Sequence, residues 1–459
     1  MTGVKEKTSL TEGPLFVKII AYVIPIILAG ILQLLYNTAD QIVVGQFSGD
    51  PNALASVGST TSATNLIINV IMGMSAGAIV VLSQGFGAKE DSVISKSVHT
   101  VVTFAAIAGV ILAAVGLVVS RPILSLMGTK AELLDSATLY MRIIMCGVPA
   151  SVMYNFASCV FRAKGDSKTP FIILASTGLV NVALNLVFVI AFRMGVAGVA
   201  LATIISQYLS AAVVLILLMR TKEGYKLRLN KLGINPIMLK RLLIVGLPSG
   251  IQSALFSLST MLIQSSVNTL SIPEVGGATV GSSIEGYTYT AMNAYYQAAL
   301  AFVGQNFGAG RLDRVKKTLL YCTVQMLAVG IAVGGIELIF IKEIASVFVD
   351  MSQPDALAII DAAATRSMII ISLYFLCGLM EVFTGYQRGL GSSLRPMIVT
   401  LFFVCVLRVV WATFVFPHFG TAESLYVIYP ISWALCAIFQ LFFSIRITRK
   451  IEKAKQIKA

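Results

Sequence analysis

Four polar residues interrupt an otherwise apolar run near the start of the chain: Gln33, Tyr36, Asn37 and Asp40. Their spacing, i, i+3, i+4 and i+7, places them on one face of a helix. An acid at membrane depth is costly and by default marks an ion or substrate path. The nearest basic residue in the same run, Lys18, is 22 positions away, so the Asp40 carboxyl could take up and release a proton, as a coupling residue must. The competing reading is a structural acid bonded to a neighbouring helix. Asn181 and Asn185, four apart on one helix face, and Thr203 could bond Asp40 or coordinate a small cation. Asn and Thr are also common as packing glue between helices.

A second constellation lies in the other half of the chain. Glu285, Tyr289, Met292 and Tyr296 fall at i, i+4, i+7 and i+11. An acid, two aromatic rings and a flexible thioether on one face suit a planar organic cation. Ser253, Ser257, Thr260 and Gln264 form a matching polar face, and Glu381 is a further acid at depth. Arg408, in the middle of an apolar run, needs a partner. Glu285 and Glu381 are the expected ones, and whichever pairs with it is structural.

Much other chemistry is excluded. The two His argue against most zinc and general-base sites. The six Cys sit in apolar surroundings with no CxxC pair and read as small packing residues. The glycine-rich QGFGA and QNFGA segments lack the Lys-Ser/Thr of a phosphate loop and read as turns. No cofactor and no metal is expected.

These side chains must be positioned by membrane-spanning helices. Of the 459 residues, 57% are hydrophobic and only 12% charged, and the mean hydropathy is +0.87. Soluble domains are about a quarter charged, so a soluble enzyme and a nucleic-acid binder are both excluded. Apolar runs of the length that crosses a bilayer fall at 17–45, 55–84, 95–119, 136–161, 170–191, 195–219, 240–269, 276–306, 317–341, 361–387, 396–416 and 424–446. The fold class is an all-α polytopic membrane protein of twelve transmembrane helices. The first residues, MTGVKEKTSLTEGP, are polar and lack a signal-peptide core. With the N-terminus inside, 27 of the 34 Lys and Arg fall on the cytoplasmic side, Lys5 and Lys7 among them and Lys130 not. The positive-inside rule then puts both termini in the cytoplasm of a cell-membrane protein. The net charge of +13 reads as a topological address.

The halves repeat. SQGFGAKEDSVISK (83–96) matches GQNFGAGRLDRVKK (304–317), FRAKGDSKTPFI (161–172) matches QRGLGSSLRPMI (387–398), and IPIILAGILQLL (24–35) matches LPSGIQSALFSL (247–258). Their offsets, 221, 226 and 223 residues, are nearly constant. The expected organisation is an N-lobe at 1–219, a cytoplasmic linker at 220–239 and a C-lobe at 240–459. Two pseudo-symmetric six-helix lobes of one orientation are a transporter architecture. Asp40 has no duplicate, because Ile263 or Gln264 takes its place.

Over nearly its whole length the chain resembles MATE (multidrug and toxic compound extrusion) transporters of the bacterial type. The carrying motifs are LLYNTADQIVVGQFSG (34–49), SQGFGAKE (83–90), FRAKGDSKTP (161–170), GVAGVALAT (195–203), FVGQNFGAG (302–310) and QRGLG (387–391). The resemblance implies antiport of cationic, aromatic, amphipathic drug-like compounds against protons or sodium. It also implies a coupling acid at Asp40, with a cation site that includes Asn181 and Thr203. Asn185 stands where many members have Asp, and the seventh helix lacks the acid of the sodium-coupled branch. Both departures favour protons. A lipid-linked saccharide flippase of the same superfamily, or a metabolite exporter, is the alternative. The flippase reading is weakened by stripes in which only Arg408 is basic. The expected partners are small molecules and the lipid bilayer, with no nucleic acid, for a monomer.

Overall fold

The computed structural model describes residues 9–47, 53–127, 129, 131–352 and 354–458. Lys5, Lys7 and Lys130 of the charge count, and Ser48 and Gly49 of the first motif, lie outside the described residues. All regular structure among the described residues is helical. Hydrocarbon offers no partner to backbone N–H and C=O groups, so each apolar run must satisfy them within itself.

The helices on the expected spans are α1 (Leu15–Phe47), α2 (Ala53–Ala88), α3 (Asp91–Leu126), α4 (Ala131–Lys164), α5 (Lys168–Ala191), α6 (Gly195–Arg220), α7 (Pro236–Val267), α8 (Ile272–Gly308) and α9 (Leu312–Ile339). They continue with α10, in two parts (Ala356–Ile371 and Phe375–Gly389), α11 (Leu394–Phe419) and α12 (Ala422–Ile457). Each matches one expected span and most overrun it, because charge clusters mark the edge of the bilayer and not the end of the helix. Ten of them are long and apolar enough to span among the described residues, and α10, bent by 46° at its break, makes eleven. The expected twelfth, α8, is long enough at 37 residues. It falls short in apolarity because it carries the Glu285–Tyr296 stripe.

Two compact units result among the described residues, residue 9 with 28–250 and residues 10–27 with 251–458. In the first, the 221–235 connection is fastened to helix ends. Tyr225 lies edge-on to Phe86 of α2 (5.9 Å) and Phe161 of α4 (6.2 Å). Lys164 pairs with Glu223. His99, buried in α3, accepts from the backbone N–H of Arg228 at Nε2 (3.0 Å). Its Nδ1 therefore carries the proton toward the Ser95 carbonyl, 2.7 Å away. In the second unit residues 10–11 and the end of α12 meet the α8–α9 corner. Leu10 N donates to Gln305 (3.0 Å), Arg311 donates to the Thr11 carbonyl (2.8 Å), and Lys455 donates to the Gly310 carbonyl (3.0 Å).

The repeat extends to backbone conformation. Lys89 (φ 56°) matches Gly310 (φ 69°), and Gly165 (φ 111°) matches Gly391 (φ 85°). These residues end helices in the left-handed region that glycine enters freely.

Candidate substrate and coupling site

Asp40, near the C-terminal end of α1, faces α5 and α6. The side-chain amide of Asn185 donates to Asp40 Oδ1. With its amide turned to satisfy both ends, Asn181 donates to the same oxygen at 3.1 Å and accepts from Thr203 N at 3.3 Å. Thr203 Oγ1 donates to the Val199 carbonyl, one turn back (2.9 Å). The four residues that the sequence reading named for coupling are thus brought together. Asn185 is fully buried, and its Oδ1 has no hydrogen-bond partner among the described residues. A π-helical turn at Val187–Ala191 begins two residues later, a distortion often found beside functional sites.

A cavity of about 420 Å³ opens beside Asp40 within the first unit. Gln33, Asn37 and Asp40 line it from α1, Thr60, Thr64 and Asn69 from α2, Tyr140, Tyr154 and Asn155 from α4, and Thr203, Gln207 and Ser210 from α6. Tyr36 turns aside: its hydroxyl donates to the Ala175 carbonyl (3.1 Å) and its ring lies on Gly178. A Cβ at Gly178 would stand 1.9 Å from that ring, so only glycine lets Tyr36 pack there. Sequence reading did not single out Tyr140, Asn155, Gln207 or Ser210. A signal was present for two of them, since Thr203, Gln207 and Ser210 repeat the i, i+4, i+7 spacing seen on α1.

In the second unit the α8 stripe is divided among different tasks. Glu285 is paired with Arg366 of α10, through Nε–Oε1 (2.8 Å) and Nη2–Oε2 (3.1 Å). The expected pairing of Arg408 with an acid is therefore corrected. Arg408 sits on α11 between two π-helical stretches and faces α12. It donates to Ser432 (2.9 Å) and lies over Tyr429 (4.3 Å) and Trp433 (5.4 Å). Met292 is buried against Gly330 and Gly378 as core packing. Tyr296 accepts from Arg388 Nη1 (2.6 Å), whose Nη2 donates to Gln252 (2.7 Å). Tyr289 is 37% exposed and Glu381 is half-buried. Gln264 is exposed and bonds Asn268 (3.0 Å). Sequence reading missed Glu337 of α9, a buried acid that accepts from Thr288 (2.6 Å). The criterion that found Asp40, an acid inside an apolar run, would have found it. Arg366 and Arg388 are buried as well as Arg408 and bond Glu285 and Tyr296 of the α8 stripe, so the expectation that only Arg408 is basic among these stripes is corrected.

The comparisons with known proteins repeat the internal duplication. One family model, MatE, matches the chain twice, at residues 25–187 and 248–414. This chain belongs to the MatE family. Members of this family are transporters, so the chain is a multi-pass membrane transporter and not an enzyme. The MATE chain is 28% identical over 433 residues to the probable multidrug resistance protein YoeA of Bacillus subtilis, covering 90% of each. It is 24% identical to the probable multidrug resistance protein NorM of Thermotoga maritima, covering 85% of this chain and 83% of that one. A MOP superfamily transporter of Pyrococcus furiosus superposes with a TM-score of 0.90 at 21% identity, covering 98% of this chain and all of that one. A MATE structure in the straight conformation gives 0.88 at 21% identity, with the same coverage. These likenesses establish the MATE fold.

Proposed function

We propose that this MATE chain is a proton-coupled exporter of cationic, aromatic, amphipathic compounds. It acts by alternating access as a monomer in the cell membrane, with both termini cytoplasmic. The multidrug names of its relatives support the substrate class. One observation carries the coupling reading: among the described residues Asp40 is the only acid lining the first-unit cavity, and amide donors from Asn181 and Asn185 hold it.

That surrounding favours a proton over sodium. Hard cations are bound by several oxygen ligands, whereas here two amide N–H groups point at the carboxylate. Once Asp40 is protonated, the Asn185 amide turned over presents Oδ1 to the new hydroxyl, since one amide carries both donor and acceptor. The buried Asn185 Oδ1, unpartnered among the described residues, supports this exchange. The charge change at Asp40 then alters how strongly a cation is held in the cavity. In the second unit, Tyr289 and Glu381 are left to contact substrate, while Glu285 is committed to Arg366.

Everted membrane vesicles test this reading. Asp40→Asn should abolish proton-driven drug uptake while leaving the protein folded and inserted. Full uptake by the variant would remove Asp40 from the mechanism. Uptake that follows a sodium gradient and ignores pH would assign the other ion.

A further inference from the structure

A groove of about 630 Å³ lies on the basic face of the first unit, between the start of α3 and the 221–235 connection. We propose that it holds the headgroup of an anionic phospholipid, with the connection lying in the membrane interface as its clamp. Lys96, Lys226, Arg228 and Lys231 line the groove against two acids, Asp91 and Glu223. Glu223 is already neutralised by Lys164. None of the four cations takes part in an ion pair among the described residues.

The connection is held in one shape. Its backbone N–H groups at Arg228, Gly233 and Asn235 donate to His99, Thr103 and Thr100 of α3 (3.0, 3.1 and 3.0 Å). The charges therefore converge on a built groove and do not trail from a loose loop.

A second observation selects lipid over a soluble anion. Leu229 (65% exposed), Leu232 (44%) and Ile234 (40%) are uncovered, as is Ile237 (61%) in the first turn of α7. The first three lie between the end of α6 at Arg220 and the start of α7 at Pro236, so no spanning helix carries them into hydrocarbon. Exposed apolar side chains beside a basic cluster at a helix end are the composition of an interfacial, anionic-lipid-binding segment. The phosphodiester takes the cations, and the acyl boundary takes the leucines and isoleucines.

The test uses the full chain in nanodiscs of phosphatidylcholine, with and without one-fifth phosphatidylglycerol. Retained lipid is counted by native mass spectrometry and the unfolding midpoint is measured. Retention of phosphatidylglycerol, with a raised midpoint that falls in high salt, is expected. Lys226→Gln/Arg228→Gln/Lys231→Gln should weaken that retention about a hundredfold. Leu229→Ser/Leu232→Ser should weaken it about tenfold or more with all charges kept. Arg449→Gln/Lys450→Gln/Lys453→Gln in the tail should leave it unchanged. An equal loss in the tail variant, no preference for phosphatidylglycerol, or equal stabilisation by inorganic phosphate in detergent would each overturn the proposal.

Discussion

The side-chain amide of Asn185 donates to the carboxylate of Asp40 across 145 residues of sequence. An amide thus stands beside the acid of the cavity where a second carboxylate would complete a cage of anionic oxygens. Asn185→Asp should make transport respond to sodium, because it supplies such an oxygen to a hard cation. Sodium-stimulated uptake by the variant and not by the parent is the expected result. A parent that already responds to sodium would contradict it.

The Glu285–Arg366 pair is buried and bidentate. Removing one partner of such a pair strands a charge and costs about 3–5 kcal/mol. Glu285→Gln and Arg366→Met should each lower the thermal midpoint in detergent sharply. The double variant should lose less than the sum of the two. A Glu285→Gln protein of unchanged stability and reduced drug binding would return Glu285 to the substrate site.

Gly178→Ala should push the Tyr36 ring off α5 and so displace the α1 face that presents Asp40. Drug uptake should fall at least tenfold with the protein still inserted. Tyr36→Ala on that background should restore part of it, since the three atoms nearest the added Cβ all belong to that ring. Failure of the second change to restore any activity would show that Gly178 acts in another way.

The buried His99 accepts from the Arg228 backbone. His99→Leu leaves that N–H without an acceptor, at a cost of about 1–3 kcal/mol. Faster hydrogen exchange and proteolysis confined to residues 221–235 are expected, with the rest of the first unit unchanged. Loss of protection throughout the unit would instead give His99 a wider packing role.

The matched corners separate two kinds of glycine. Gly310→Lys should be tolerated within about 1 kcal/mol, because Lys89 adopts the same conformation in the first half. Gly391→Ala, at φ 85°, should destabilise by about 1 kcal/mol or more. Thermal midpoints of the two variants in detergent settle the order.

The sequence by itself determined the membrane class, the span positions, the duplication and the α1 stripe. Each follows from a one-dimensional rule: the length of an apolar run, the placing of basic residues, a repeated motif, or helical spacing. It also placed Asp40, Asn181, Asn185 and Thr203 in one group, because an acid in hydrocarbon must find polar neighbours. Spacing along one helix does not say which helix lies opposite, and only the tertiary structure decided that. Glu285 met Arg366 because that face of α8 packs on α10, and Arg408 met Tyr429 and Trp433 because its face of α11 packs on α12. Tyr36 left the cavity for the space at Gly178, and Met292 went into the core. The partner of a buried charge is set by packing between helices far apart in the chain, and no local pattern encodes it.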